Sequence, residues 1–283
     1  MKPQCHHLLR RILVPLDPSE YAQSATEYAC QVAQAHSSKV MGLAVLDSPE
    51  IRSSLMPSQY EALEMVQESI DKHREHARTE IKRFETYFTE KCYGENVIAS
   101  EVMREGVPVD LILETATLFD LMVVGLRTFF HFETREADGE LLSKILGSAT
   151  TPILAVPYKP REMKKVLIAF DGSQTSARAV RDFVLFAQPF DFEVSVFIAG
   201  LDEKKRIVLL NRLQEFLSDH EVPVSETICF EGKPTEAIEK GVTSNYGLIV
   251  CGIHSRKLIK DFFVGSFTQG LIERQENALF LSH

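Results

Sequence analysis

The chain has 283 residues, 45% of them hydrophobic and 25% charged, with a net charge of −9 from 31 basic and 40 acidic side chains. That length accommodates two domains with separate cores, and the composition is that of a globular protein. The acidic balance argues against non-specific binding along a nucleic-acid backbone, which needs a basic surface, but leaves room for a local patch that holds one small anion.

In chain order, short apolar or β-branched runs predict strands near Ile12–Leu16, Val40–Val45, Val97–Met103, Leu121–Val124 and Ile153–Val156. A second set follows near Val166–Phe170, Val194–Ala199, Val224–Phe230, Leu248–Cys251 and Leu279–Leu281. Helical patterns separate them, which predicts βαβ units and parallel sheets. Between the second and third strands a long helix is expected from Tyr60 to about Tyr87, with Leu63, Val66, Ile70, Ala77, Ile81, Phe84 and Phe88 forming one apolar, core-facing side. The equivalent place in the second half holds only DEKKRIVLLNRLQEFLSDH. The segment PYKPREMK, with two prolines and mixed charges, reads as a linker around Tyr158–Lys164 and divides the chain into domains 1–158 and 164–283.

The two halves repeat each other. RILVPLDPSEYAQSATEYACQVA, from Arg11, matches KVLIAFDGSQTSARAVRDFVLFA, from Lys165, so that Asp17, Pro18 and Ser19 align with Asp171, Gly172 and Ser173. EGVPVDLILETA at Glu105 matches EGKPTEAIEKGV at Glu231, LMVVG at Leu121 matches LIVCG at Leu248, and PILAVP at Pro152 matches ALFLSH at Ala278.

The VLIAFDGS opening, the EGKP element and the loop GIHSRKLIKDFFVGS together resemble the universal stress protein family in its tandem two-domain form, over nearly the whole chain. The resemblance implies an α/β fold: two tandem domains, each a five-stranded parallel sheet flanked by helices, Rossmann-like and similar to the adenine nucleotide alpha hydrolases. It also implies an adenine nucleotide as ligand, ATP with Mg, in a stress-response regulator. The halves are expected to pair within the chain as single-domain members pair between chains, and a homodimer of whole chains stays open.

In that family the phosphate loop runs Gly, two residues, Gly, nine residues, then Gly-Ser or Gly-Thr. The second half carries Gly252, Ile253, His254, then Ser255 in place of the second glycine, with Gly265-Ser266 closing the motif. Gly252 ends a strand at the carboxyl edge of a parallel sheet, where such folds bind ligands, and Gly265-Ser266 opens a helix whose N-terminus favours a polyphosphate. By resemblance Asp171, beside Gly172, would contact the adenosine. Ser255 restricts φ where the family has Gly. The same residues also fit a glycine turn and a capped helix without a ligand.

In the first half Gly125 opens the corresponding loop, and Gly147-Ser148 looks like its closure. That register leaves only Ala149, Thr150 and Thr151 before the next strand, too few for a parallel crossover, which takes about ten or more residues. Aligning back from the last strand instead places Gly139 and Glu140 on Gly265 and Ser266, with a helix over Leu141–Thr150. Glu140 would repel a phosphate, Thr128 replaces the second glycine, and Pro18 replaces Gly172, so this pocket, with Asp17 at its strand end, reads as degenerate. Arg127 corresponds to His254 and reads either as an anion contact or as a solvated side chain.

The five cysteines, Cys5, Cys30, Cys92, Cys229 and Cys251, are odd in number and contain no C-x-x-C pair, which points to free thiols in a reducing cytosol. No apolar run approaches the ~20 residues that span a bilayer, and MKPQCHHLLRR has no secretion-signal core, so a cytoplasmic location is expected. His73, His76 and Glu80 share a helix face that reads as solvated rather than as a metal site. The clusters Cys5-His6-His7, Phe129/Phe130/Phe132 and Phe262/Phe263 suggest an adventitious arm and packing aromatics. No G-x-S-x-G, H-E-x-x-H or Walker G-K-[ST] is present, and no catalytic or metal residue is assigned. Beside the nucleotide-binding regulator stands a second reading, an interaction module of the same fold without a ligand.

Overall fold

The computed structural model describes residues 9–47, 63–128, 139–253 and 265–282. In the first half these form β1 (Arg11–Leu16), α1 (Glu20–His36), β2 (Lys39–Leu46), α2 (Leu63–Gly94), β3 (Ile98–Glu105), α3 (Pro108–Ala116), β4 (Leu121–Gly125), α4 (Gly139–Ser148) and β5 (Ile153–Val156). The second half repeats the order with β6 (Lys165–Ala169), α5 (Gln174–Ala187), β7 (Glu193–Ala199), α6 (Glu203–Asp219), β8 (Val224–Phe230), α7 (Pro234–Glu239), β9 (Leu248–Gly252), α8 (Ser266–Arg274) and β10 (Ala278–Ser282).

The strands run in one ten-stranded sheet, ordered β3-β2-β1-β4-β5-β10-β9-β6-β7-β8. Each half is parallel throughout. At the centre β5 and β10 pair antiparallel, with Leu279 opposite Ala155, Phe280 opposite Leu154 and Leu281 opposite Ile153. Central strands such as ILAV and LMVV are buried along their whole length, because helices cover both faces. One face packs Ile12, Val14 and Ile168 against Tyr28 of α1, Phe88 of α2 and Phe183 of α5. The other packs Leu13, Met122 and Ile249 against Ile112 of α3, Ile145 of α4 and Leu271 of α8.

Three details differ from the sequence expectation. Helix α2 continues beyond Tyr87 to Gly94, because Phe88 and Cys92 prolong the buried stripe of Ala77 and Ile81 while Thr89, Glu90 and Tyr93 form its exposed side. Ser266 is the first residue of α8 rather than its cap; the cap is Gly265, which offers no side chain. Helix α4 runs from Gly139 to Ser148, two residues earlier at each end than the expected Leu141–Thr150, and Gly147-Ser148 lies in its last turn and not at a loop closure.

Candidate functional site

The Asp-x-Ser sequence that follows β1 and β6 builds the same local structure twice. Asp17 Oδ1 accepts from Ser19 N and Asp171 Oδ1 accepts from Ser173 N, each at 2.9 Å. The serine then caps the next helix: Ser19 accepts from Ala22 N, and Ser173 accepts from Ser176 N. A short polar side chain closing a turn and a second one capping a helix satisfy donors that would otherwise be orphaned. Between them Gly172 adopts φ +79, a left-handed conformation that glycine accepts at little cost. Pro18, fixed near φ −65°, makes the first-half version of the turn without a left-handed residue.

In the second half, Asp171, Gly252, Gly265 and Ser266 line one cleft at the carboxyl ends of β6 and β9. This is the crevice where parallel α/β sheets hold ligands. The N-terminus of α8 forms one wall. With Gly265 as cap, its first-turn N–H groups receive no cap side chain, and the helix dipole adds partial positive charge there. Among the described residues a Cβ at Gly265 would meet nothing within 4 Å, so glycine at this point keeps the cleft open rather than relieving strain. Gly172 lies beside Leu209 at the turn. His254 and Ser255 lie outside the described residues, as do the two phenylalanine clusters and Cys5-His6-His7.

The rest of the lining escaped the sequence reading. Phe170, Phe197, Ala199, Pro234, Phe267 and Thr268 also face the cleft, with Phe197 and Phe267 stacked at 5.9 Å and an interplanar angle of 12°. Their signal was position alone: most sit at or just beyond strand ends, or in the first turn of α8. Cys251, also in the cleft lining, is buried against Thr268, whose Oγ1 lies 3.7 Å from its sulfur. Burial pushes the Cys251 thiol up to about 12, so it is held protonated and is a poor nucleophile.

Gly252 has a further role that spacing alone does not reveal. A Cβ there would lie 2.5 Å from Ser176 N and from Thr175 C, so the glycine lets the first turn of α5 rest directly on β9. Gly125 does the same under α1, where a Cβ would reach 2.4 Å from Tyr21 Cβ. These glycines are packing residues whatever else they touch.

The first-half counterpart is built differently. Thr128 is buried, and its hydroxyl donates to Asp17 Oδ2. Ser19 N and its hydroxyl donate to Asp17 Oδ1. Asp17 is thus fully buried within its own half, whereas Asp171 is exposed to the cleft. Arg127 is exposed and turns towards the second half, where its guanidinium meets the side-chain amide of Gln275 at the C-cap of α8, the same amide that hydrogen-bonds Tyr21 Oη. Gly139 and Glu140 open α4. On α2, His73 Nδ1 is 2.8 Å from the Ser69 carbonyl oxygen.

Among the described residues no helix is long and apolar enough to cross a membrane. Comparison with known proteins agrees with this architecture. A universal stress protein from Archaeoglobus fulgidus DSM 4304 superposes with a TM-score of 0.70 at 18% identity, covering 96% of this chain and 97% of its own. A universal-stress-type protein from Pseudomonas aeruginosa UCBPP-PA14 gives 0.61 at 13% identity, with 98% and 94% covered. At such identities the likeness speaks for the fold. A sequence search of curated proteins gave no match. The family model described as "Universal stress protein family" matches residues 9–157, more than half of the chain, and the chain therefore belongs to the universal stress protein family.

Proposed function

We propose that the protein is a stress-response regulator that binds an adenine nucleotide, ATP carried with Mg, in its second half. The observation that carries this reading is the convergence of Asp171, Gly252, Gly265 and Ser266 on one cleft beneath an uncapped helix N-terminus. The residues present suit such a ligand. The N–H groups of the first turn of α8 would hold phosphate oxygens, and Ser266 would add a hydroxyl donor. Phe197, Phe267, Ala199 and Pro234 offer an apolar surface for a base, and Asp171 an acceptor for sugar hydroxyls. No acid–base pair or nucleophile is assigned, so binding rather than turnover is the proposed activity, with slow hydrolysis at most.

The first half supports the second reading, a nucleotide-free module, because Thr128 occupies the acceptor Oδ2 of Asp17. We read the chain as two domains, 1–158 and 164–283, and the β5–β10 seam as their internal pairing. A cytoplasmic location and a homodimer of whole chains belong to the same proposal.

The test is calorimetric titration with Mg-ATP of the whole chain and of Gly265→Leu. Open space at Gly265 lets the leucine enter without displacing the fold, so thermal unfolding without ligand should be unchanged while affinity falls at least tenfold. A bound ligand should also raise the melting temperature of the unaltered chain by mass action. Equal affinity in both proteins would remove the site assignment, and no binding by either would leave the nucleotide-free reading.

A further inference from the structure

Helix α2 meets α1 along a short seam. Glu27, Cys30 and Gln34 of α1 face Lys91 and Cys92 of α2 and Glu95 just beyond it. Lys91 Nζ pairs with Glu27 at 3.6 Å, and Gln34 Nε2 donates to the Glu95 main-chain oxygen at 2.8 Å. Between these contacts the sulfurs of Cys30 and Cys92 lie 3.6 Å apart, from positions 62 residues distant in sequence. Each is 1% exposed. Among the described residues no group of three His, Cys, Asp or Glu is placed to hold a metal ion, so the thiol pair stands as two cysteines and not as part of a metal cage. The sulfurs are in van der Waals contact, about 1.5 Å beyond the S–S bonding distance of about 2.05 Å.

We propose that Cys30 and Cys92 form a reversible disulfide on exposure to hydrogen peroxide, clamping the end of α2 to α1. The Cys30 thiolate attacks one peroxide oxygen, the O–O bond breaks, and the departing hydroxide leaves as water with the proton that Cys30 has given up. Cys30 is then a sulfenic acid. The Cys92 sulfur attacks it, the S–S bond forms, the S–O bond breaks, and the second hydroxide leaves as water with the proton from Cys92. Two thiols lose two electrons, and one peroxide becomes two waters. Exchange with a reduced thiol reverses the reaction.

Burial selects the oxidant, because a small neutral molecule can enter where a bulky disulfide cannot. Cys92 lies in the last turn of α2, two residues before Gly94, and helix ends open at low free-energy cost. The hydrogen bond shared by the two sulfurs lowers the Cys30 thiol and raises that of Cys92, in keeping with Cys30 as the attacking sulfur and Cys92 as the resolving one.

The experiment treats the full chain carrying Cys229→Ser, which removes an exposed thiol, with hydrogen peroxide under native conditions. Free-thiol counting, tryptic mass mapping and thermal unfolding follow. The expected result is loss of two thiols, a cross-linked peptide pair containing Cys30 and Cys92 that is 2 Da lighter than its parts, and a higher melting temperature that dithiothreitol reverses. Cys92→Ala should instead leave a sulfenic acid on Cys30 that dimedone captures. A mass map in which both cysteines stay reduced, or in which the cross-link joins other cysteines, would overturn the proposal. That map is made without any core substitution, so it stands even where Cys92→Ala fails to fold.

Discussion

Thr128 and Asp17 are joined by a buried hydrogen bond across 111 residues of sequence, at the point where the second half presents Asp171 to an open cleft. The bond marks how the two halves differ: a hydroxyl from the loop after β4 has taken one acceptor of the first carboxylate, which is buried, whereas Asp171 is exposed. Removing that donor leaves a buried acceptor without one of its partners. Thr128→Ala should therefore lower the stability of the whole chain by about 1–3 kcal/mol, measured by urea unfolding, while Thr128→Ser should recover most of the loss. A Thr128→Ala chain as stable as the parent would show that the two serine donors suffice.

The glycines of the loop divide by the same kind of argument. At Gly252 an added Cβ meets the backbone of α5 at 2.5 Å, whereas at Gly265 it meets nothing among the described residues. Gly252→Ala should cost about 1–3 kcal/mol, the usual cost of forcing extra volume into a filled site, and more if the helix backbone must shift. Gly265→Ala should leave the unfolding midpoint where it is. Denaturation of the two variants side by side checks this, and similar losses at both positions would contradict the close approach of α5 to β9.

Much of the fold follows from local pattern, and the reason is physical. Strands buried on both faces need continuous apolar runs, so ILAV, LMVV and LIVC declare themselves, and the repeat carries each assignment from one half to the other. The repeat also puts the helix before β5 close to where it is found, over Leu141–Thr150 against the observed Gly139–Ser148, and takes Gly147-Ser148 out of the loop closure. Three site features lie beyond such reading because they depend on residues brought together only by folding. These are the Thr128–Asp17 bond, the Arg127–Gln275–Tyr21 contact between halves, and the aromatic lining from Phe197 and Phe267. The end of α2 was missed because Thr89, Glu90 and Lys91 look like a terminus, although Phe88 and Cys92 keep the stripe intact.

His36 makes the molecule sensitive to acid. Its ring is fully buried at the end of α1, with Nδ1 accepting from Leu9 N at 3.2 Å and Nε2 at 3.0 Å from the Phe186 carbonyl oxygen of the second half. Those partners require the neutral ring with its proton on Nε2, and burial lowers its affinity for a second proton below the ordinary value of 6.5. A depressed histidine means that the unfolded chain binds the proton more tightly. The stabilisation is thus complete above about pH 6.5 and is lost as pH falls from there towards the folded value. Urea midpoints between pH 8 and pH 5 should decline in the parent and decline less in His36→Phe. Parallel profiles would mean that other groups set the acid limb.

The central seam yields the last prediction. Phe280 of β10 is 1% exposed and lies opposite Leu154 of β5. Its ring sits 5.1 Å from that of Phe186 and 5.9 Å from that of Phe183. Truncation would open a cavity in the middle of a continuous sheet, so Phe280→Ala should cost about 3–5 kcal/mol and Phe280→Leu distinctly less. The more telling measurement is hydrogen exchange, since β5 and β10 share ladder hydrogen bonds across the two halves. If the seam couples them, the substitution should speed exchange in Ile153–Val156 as well as in Ala278–Ser282. Faster exchange confined to β10 and its neighbours in the second half would show that each half holds its own fold and that the antiparallel pair adds contact without cooperativity.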